Sequence, residues 1–277
     1  MEPFHAVMPI WRHPPVLGLA LLLVLGEYVW RRQRGRSYDL KAAGVSLGIA
    51  VGQSLLRPLN AALTFAALAF MARFAPWHLP LNDWRTWAVG FVAVELAYYW
   101  FHRLSHTVAW MWATHSVHHS AREMVLPAAI RLGWTESLSL GWLCFLPLAL
   151  LGFPPVMIAV LLGANLLYQF VLHTEAPVSL GPLEGVLNTP RHHRAHHSSE
   201  SAYLDCNFGG VLIVFDRLFG TFRPGPDPAT PLAYGLVHPR GTGVLAVALG
   251  GWGELLPRIA AARGWQAKVR VALGRPA

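Results

Sequence analysis

The stretch from Thr86 to His119, TWAVGFVAVELAYYWFHRLSHTVAWMWATHSVHH, joins an apolar run to a dense set of histidines. The apolar part, Thr86–Phe101, carries one charged residue, Glu95. Side chains three or four residues apart share one face of a helix. His102 and His106 therefore point the same way, and HxxHH spacing gives the next block a common stripe. The stretch predicts a membrane helix that ends in potential metal ligands. That next block consists of His115, His118 and His119.

The composition favours a membrane protein. Of the 277 residues, 54% are hydrophobic and 13% are charged, whereas soluble domains are about 25% charged. The net charge is +8, but the basic residues flank apolar runs, which fits anionic lipid headgroups and not nucleic acid. Neither GxGxxG nor a P-loop occurs, so reducing equivalents must come from outside the chain. Cys144 and Cys206 have neither zinc-ribbon nor disulfide-framework spacing.

Apolar runs outline the membrane part. Pro15–Trp30 precedes the basic cluster Arg31–Arg36 and is predicted to be an anchored first span with a cytoplasmic flank. Ala42–Phe74 is longer than the roughly 20 residues that a span needs, so it predicts either one long kinked helix or two short ones. Trp134–Leu151 and Val156–Leu172 predict a helical hairpin. Val244–Leu256, broken by glycines, predicts a surface-lying or packing helix.

The order of these runs predicts that all histidine blocks reach one side of the membrane. If Ala42–Phe74 crosses once, the next span delivers His102 to the cytoplasmic side, and the hairpin returns His173 there. If it crosses twice, the histidine blocks face the opposite compartment, but they still lie on one side of the membrane. We expect an all-α integral membrane protein of the bacterial inner membrane, with about four transmembrane helices. A histidine-rich helical cap on the cytosolic side would hold a dimetal site.

The histidine blocks are the candidate metal ligands. Eight or nine imidazoles are too many for one ion and suit two ions in a shared pocket. Imidazole binds iron, zinc and copper, which leaves three classes: an oxygen-activating di-iron enzyme, a binuclear zinc hydrolase, and a metal transport or storage protein. No HExxH or nucleophile motif supports the hydrolase, and transport would favour histidines inside the spans. The candidate ligands are His102, His106, His115, His118, His119, His173, His193, His196 and His197.

The remaining histidines and the nearby carboxylates are expected to have other roles. His192 adjoins the last block and is either a ligand or a hydrogen-bond donor to one. The expected non-ligands are His5, His13, His78 and His238. Metal-bound imidazoles usually donate their other N–H to a carboxylate or carbonyl. The carboxylates that could support the ligands in this way are Glu175, Asp205 and Asp216.

Two of the carboxylates have an alternative interpretation. Glu95 lies seven residues before His102, about 10 Å along the helix axis, and is too far away to orient that ring directly. It is either a functional group that supports the site or the partner of an arginine on a neighbouring helix. Asp216 could equally form a local ion pair with Arg217.

The order HxxxH, HxxHH, HxxHH resembles the fatty acid hydroxylase superfamily, which includes the sterol desaturases. The resemblance runs from about Asp83 to His238 and is strongest to the bacterial sterol desaturase branch and the alkylglycerol monooxygenases. The latter carry a glutamate after HxxxH where this chain has Thr107, which makes pterin-dependent ether-lipid cleavage the less expected activity. The segments that carry the resemblance are Tyr98–Arg103, Tyr168–Glu175, Asn188–His197 and Phe215–Phe222.

The resemblance implies the chemistry. The nine histidines would bind two iron ions, for which zinc can substitute. The enzyme would use O2 and electrons from an external donor protein or small reductant to hydroxylate, or desaturate, a lipid C–H position. It also implies three parts of the chain: anchor spans at residues 1–85, the hydroxylase domain with its di-iron site at 86–240, and a C-terminal tail at 241–277.

Overall fold

The computed structural model describes residues 14–227 and 230–276, so His5 and His13 lie outside the described residues. The described residues are mostly helical and form no β-strand, as the sequence predicted; their only β-pairings are two isolated bridges. The α-helices are α1 Pro14–Gln33, α2 Leu40–Ala72, α3 Trp84–Thr107, α4 Ala109–His115, α5 Leu146–Leu150, α6 Pro155–Leu172, α7 Pro190–His196, α8 Val214–Leu218, α9 Val244–Ala261 and α10 Trp265–Leu273. The 3-10 turns that matter here are His118–Ser120, Leu126–Ile130 and Gly141–Phe145.

Four of the described helices are long and apolar enough to cross a membrane: α1, α2, α6 and α9. Their surfaces carry many large apolar side chains that are mostly exposed. Leu22 of α1 is 68% exposed and Leu55 of α2 is 77% exposed. Soluble proteins rarely leave contiguous surfaces of this kind uncovered, so these faces suit the lipid phase. The prediction of an all-α integral membrane fold with about four membrane helices is confirmed.

The second apolar run, Ala42–Phe74, forms one helix, α2, and not two. It continues unbroken through Arg57 and Pro58 as one helix of 33 residues, which corresponds to about 50 Å at 1.5 Å per residue. It begins at a well-formed cap, because the Asp39 carboxylate accepts hydrogen bonds from the backbone N–H groups of Lys41 (2.8 Å) and Ala42 (3.0 Å). The alternative of two short helices is therefore excluded.

The predicted hairpin is wrong. Trp134–Leu151 forms turns, a 3-10 segment and the five-residue helix α5, which cannot span a membrane. The chain leaves helical geometry at Leu140, whose φ is 62°. Trp134 is instead held against α2: its indole donates to the Ile49 carbonyl (2.9 Å), and a side chain in place of Gly52 would collide with it. Tertiary packing on α2 thus overrides the apolar pattern of this run.

Helices α3 and α9 also differ from the sequence predictions. The sequence predicted a span at Thr86–Phe101, but α3 is not among the four candidate membrane helices. It lies in the core, where Val94 and Tyr98 pack against Phe145 and Ile158. Helix α9 is longer than predicted and is itself a candidate span. It also packs on α4, because Gly251 allows close approach to the Ala113 carbonyl.

Polar contacts fix α1 to the histidine-rich region. Buried Glu27 accepts hydrogen bonds from the Leu126 backbone N–H (2.7 Å) and the Thr174 hydroxyl (2.5 Å). One turn later, Arg31 forms an ion pair with Glu175 (3.0 Å). A charge-assisted hydrogen bond is stronger than a hydrogen bond between neutral groups. The C-terminal end of α1 is therefore anchored beside the residues that follow α6.

Candidate metal centre

The structure brings all nine predicted ligands into two adjacent groups in which the potential ligand atoms lie within 4.8 Å of one another. Group one consists of His102, His106, His115, His119 and His196. Group two consists of His118, His173, His193 and His197. The groups touch through the stacked rings of His119 and His197, whose centroids are 4.3 Å apart. The predicted meeting of distant histidine blocks is confirmed, although the hairpin that was expected to return His173 is absent.

Each HxxHH block contributes to both groups, in a regular way. The first and last histidines of a block, four residues apart, share one group: His115 and His119 in group one, His193 and His197 in group two. The middle histidine of each block joins the other group. The sequence predicted one common stripe for each trio. Both blocks depart from this. In the first block, α4 ends at His115 and a 3-10 turn carries the other two histidines.

Backbone carbonyls orient three of the rings. The Nδ1–H groups of His102, His173 and His196 donate to the carbonyls of Phe208 (2.8 Å), Gln169 (2.7 Å) and Cys206 (2.7 Å), respectively. A proton on Nδ1 leaves the lone pair on Nε2, which points into the groups. This is the arrangement that metal-bound histidines usually have in proteins.

The donor set fits metal ions. The Nε2 atoms of His106, His119, His196 and His197 are buried without a hydrogen-bond partner among the described residues, which is costly unless another ligand is bound. Burial lowers the pKa of His115 to about 3 and that of His196 to about 4, so both rings are neutral and can donate a lone pair. Two nitrogens about 2.1 Å from one ion lie at most about 4.2 Å apart, close to the spread observed here.

The remaining histidines lie outside both groups. His192 is buried against Phe222, with ring centroids 5.3 Å apart, and does not join the ligand atoms of either group. His78 and His238 are exposed and belong to neither group. His192 therefore lies outside the groups, whereas its neighbour His193 belongs to group two, although both are buried residues near the start of α7.

The four candidate carboxylates have different surroundings. Asp205 lies 3.8 Å from Nδ1 of His106 and is the one that faces a histidine of the groups. Glu175 instead binds Arg31, Arg36 and Tyr234. Its contacts hold α1 and the segment before α9 together.

Glu95 acts through backbone and amide groups. Its carboxylate accepts hydrogen bonds from the backbone N–H groups of Val211 (2.7 Å) and Leu212 (2.9 Å) and from the Asn165 side chain (2.5 Å). Asn165 in turn accepts from Gln169 (2.5 Å), whose backbone carbonyl receives the Nδ1–H of His173. The alternative of an arginine partner is not observed among the described residues. Glu95 supports the turn of α6 that positions His173.

Asp216 shapes the loop that orients two ligands. It is fully buried and accepts hydrogen bonds from the backbone N–H groups of Phe208 (2.7 Å) and Gly209 (2.7 Å) and from the Thr221 hydroxyl (2.7 Å). Cys206 and Phe208 of this loop supply the carbonyls that receive His196 and His102. The alternative of a local ion pair with Arg217 is not observed: the Arg217 guanidinium lies over the Phe222 ring.

Sequence reasoning missed the backbone carbonyls of Cys206 and Phe208. A carbonyl has no residue-specific signature, so only the folded loop reveals them. The available signals are Asp205 and Asn207 on either side of Cys206, because aspartate and asparagine tolerate the left-handed region, and their φ angles are 56° and 54°. Asn207 is fully buried and donates to the carbonyls of His192 (3.1 Å) and Arg223 (2.9 Å).

The Asp216→Asn variant is expected to be less stable by about 2–3 kcal/mol, because an amide retains one acceptor oxygen and sets its NH2 against a backbone donor. The loop would then hold Phe208 less firmly, and His102 would lose part of its orientation. Thermal unfolding and metal content of the purified protein measure both effects. Asp83→Asn is the matched control, because Asp83 caps α3 and asparagine caps nearly as well. Equal stability of the two variants would contradict this role for Asp216.

Comparisons with known proteins point to one family. Residues 87–221 match the family model of fatty acid hydroxylase. Alkylglycerol monooxygenase of Danio rerio is 40% identical over 231 residues, covering 83% of this chain and 50% of that protein. The Homo sapiens enzyme of the same name is 46% identical over 167 residues, covering 60% of this chain and 36% of that protein. Ornithine lipid hydroxylase OlsE of Rhizobium tropici is 29% identical over 222 residues, covering 78% of this chain and 66% of that protein.

The chain spans half or less of the length of the alkylglycerol monooxygenases it matches. No solved structure matches it. The matched region contains all nine grouped histidines together with Glu95, Glu175, Asp205 and Asp216. The resemblance to the fatty acid hydroxylase superfamily is therefore confirmed.

Proposed function

This chain carries a fatty acid hydroxylase domain, and from that premise we propose that it is a membrane-bound di-iron oxygenase that acts on a lipid. The observation that carries the proposal is the pair of buried imidazole groups next to helices with lipid-compatible surfaces. The proposed ligands of the two irons are the five histidines of group one and the four of group two. His192 is not among them.

The chain's own groups have distinct parts in this proposal. Reduced iron bound by these histidines would supply the chemistry that activates O2 and removes hydrogen from an unactivated C–H bond. The carbonyls of Gln169, Cys206 and Phe208 keep protons on Nδ1, so that Nε2 of each ring would be free to bind a metal ion. Asp205 can accept a hydrogen bond from Nδ1 of His106 if the two atoms move closer than the present 3.8 Å.

The substrate class follows from the surroundings. The described residues include four candidate membrane helices, one of which, α6, lies within the matched domain. The relatives include enzymes named for alkylglycerol, an ornithine lipid and cholesterol. We propose hydroxylation of a lipid carbon as the reaction, with desaturation as the alternative outcome of the same hydrogen removal. Thr107 follows the first histidine block, at the position where the resemblance to alkylglycerol monooxygenases fails, so ether-lipid cleavage is the less favoured activity.

The electrons must come from a partner, either a donor protein or a small reductant. A small cavity of about 80 Å³ beside His106, His119 and His196 is bordered by Asp205 and Leu236. It provides an approach to group one that does not pass between the membrane helices. We place the metal centre on the cytoplasmic side of a bacterial inner membrane, because Arg31–Arg36 flanks the end of α1 that is anchored beside the histidines.

Lipid mass spectrometry tests the proposal. Cells that express the wild-type protein under isotope-labelled O2 are expected to contain a lipid that has gained one labelled oxygen atom, and His118→Ala cells are expected to lack it. A lipid that has lost two hydrogens would identify desaturation. Identical lipid contents under aerobic conditions, with a competent reductase present, would contradict the oxygenase.

The metal separates this proposal from the other classes. Protein loaded with iron is expected to consume O2 only when a reductant is supplied, and protein loaded with zinc is expected to consume none, because zinc has no redox chemistry. Hydrolysis of a lipid by the zinc form would support the binuclear hydrolase instead. Metal flux across vesicles without any lipid product would support transport.

A further inference from the structure

A second, basic cleft lies outside the metal centre. It has a volume of about 230 Å³ and forms where α2 and α9 begin, next to the 3-10 turn that carries His118 and His119. The nine metal-binding candidates do not line it. Its basic lining residues are Lys41, Arg122, Arg131 and Arg240.

Arg131 is the buried member of this set. It is 4% exposed, and its guanidinium donates to the Ser46 hydroxyl (2.8 Å), the Ser120 hydroxyl (3.0 Å) and the Ala42 carbonyl (2.9 Å). All three acceptors are neutral. Burial lowers the pKa of Arg131 to about 10, which still leaves it charged near neutral pH. A buried charge is costly unless an opposite charge accompanies it.

The cleft contains more positive than negative charge. Its one acidic lining residue is Asp39, whose carboxylate already caps the first turn of α2. Arg240 is compensated by two hydrogen bonds to Glu254, of 2.7 Å and 2.6 Å. Lys41 and Arg122 are exposed and form no ion pair with any described carboxylate. A net positive charge therefore remains after the internal pairs are counted.

The beginning of α9 adds to this field. The helix has 18 residues and starts after Gly243, which has no side chain to cap the first backbone N–H groups. Uncapped N–H groups and the helix dipole favour an anion at this end. Gly241 and Thr242, just ahead of the helix, line the cleft together with Val247 of its first turn.

We propose that this cleft binds the phosphate of an anionic membrane lipid. A lipid, in preference to free phosphate, is indicated by position and lining. The cleft opens at the starts of two candidate membrane helices, and its apolar wall of Val45, Leu236 and Val247 suits the carbons next to a headgroup. Leu236 also borders the small cavity beside group one, so the lipid is held next to the metal centre. The binding does not depend on the proposed reaction.

Titration of short-chain phosphatidylglycerol into the full-length, detergent-solubilised protein tests the site. We expect saturable binding, at least about tenfold tighter than that of inorganic phosphate or of short-chain phosphatidylcholine. Arg122→Gln is expected to weaken it about tenfold, since charge-assisted hydrogen bonds to phosphate are the strong ones. Lys41→Gln is a second exposed variant with the same expected direction. Arg263→Gln, an exposed arginine remote from the cleft lining, is the matched control and should change the affinity less than twofold.

Each contrary outcome overturns the proposal. Absence of saturable binding would exclude the site. Equal affinity for phosphatidylglycerol and inorganic phosphate would identify a free-phosphate site and reject a lipid occupant. Equal weakening by Arg122→Gln and Arg263→Gln would identify general attraction to a basic surface. Thermal unfolding and metal content of every variant verify that the exposed substitutions leave the fold intact, and neither readout requires catalysis.

Discussion

Replacing His193 with alanine is expected to remove metal and product together. His193 is fully buried, and its Nε2 lies 3.1 Å from Nε2 of His173 in group two. Loss of a group that merely supports a ligand typically costs 10–100-fold in metal affinity or activity, by order of magnitude, so loss of a proposed ligand should lower product formation by at least about 100-fold. Bound metal should fall from two ions to about one per chain.

His192→Ala is the matched control for this experiment. It removes the same side chain from a neighbouring position, which is also buried, but His192 does not belong to either group. Metal content measured by mass spectrometry should remain at the wild-type value, and product formation should change much less than in His193→Ala. Comparable metal loss in both variants would show that the loss of a buried side chain from α7, and not the loss of a ligand, was the cause. Unchanged metal in His193→Ala would reject group two as described.

Replacing Glu95 with alanine is expected to produce the largest loss of stability. The substitution leaves three buried or half-buried donors without an acceptor: the Asn165 amide and the backbone N–H groups of Val211 and Leu212. Each unsatisfied donor costs about 1–3 kcal/mol. The sum is several kcal/mol, which lowers the unfolding temperature by roughly 10 °C in a chain of this size. Differential scanning fluorimetry of the metal-loaded protein measures it.

Two further variants separate the role of Glu95 from a general loss of charge. Glu95→Gln keeps one acceptor oxygen and should recover part of the stability. Glu200→Ala removes an exposed carboxylate that accepts one backbone hydrogen bond, from Ala233 (3.0 Å), and should cost about 1 kcal/mol or less. Because Asn165 and Gln169 connect Glu95 to His173, Glu95→Ala should also release metal more readily. An unfolding temperature equal to that of Glu200→Ala would contradict this role.

Several features of the fold and the site could be predicted from local spacing. His102 and His106 share a face because four residues are close to one helical turn, and their rings are indeed 5.3 Å apart. The same rule explains why His193 and His197 share group two. The apolar runs around α1, α2 and α6 were recognisable because a membrane helix needs a continuous apolar stretch.

Other features could not be predicted because they depend on packing between distant segments. Trp134–Leu151 has the composition of a span, but the contact of Trp134 with Gly52 and Ile49 fixes it against α2. Glu95 is only one charge in an apolar run when the sequence is considered alone. Its partners at positions 165, 211 and 212 become visible once α3 lies between α6 and the loop before α8.

The sequence by itself determined the candidate donor groups, their spacing and the helical, membrane-compatible character of the chain, because these follow from residue chemistry and helical periodicity. Spacing pairs the first and last histidines of a block, but tertiary structure decided which group each pair joins and where the middle histidine goes. His118 and His196, the middle members of their blocks, cross to the group opposite that of their neighbours. That choice depends on how the segments carrying the two blocks approach α3 and α6, and no spacing within one segment encodes the relative position of another.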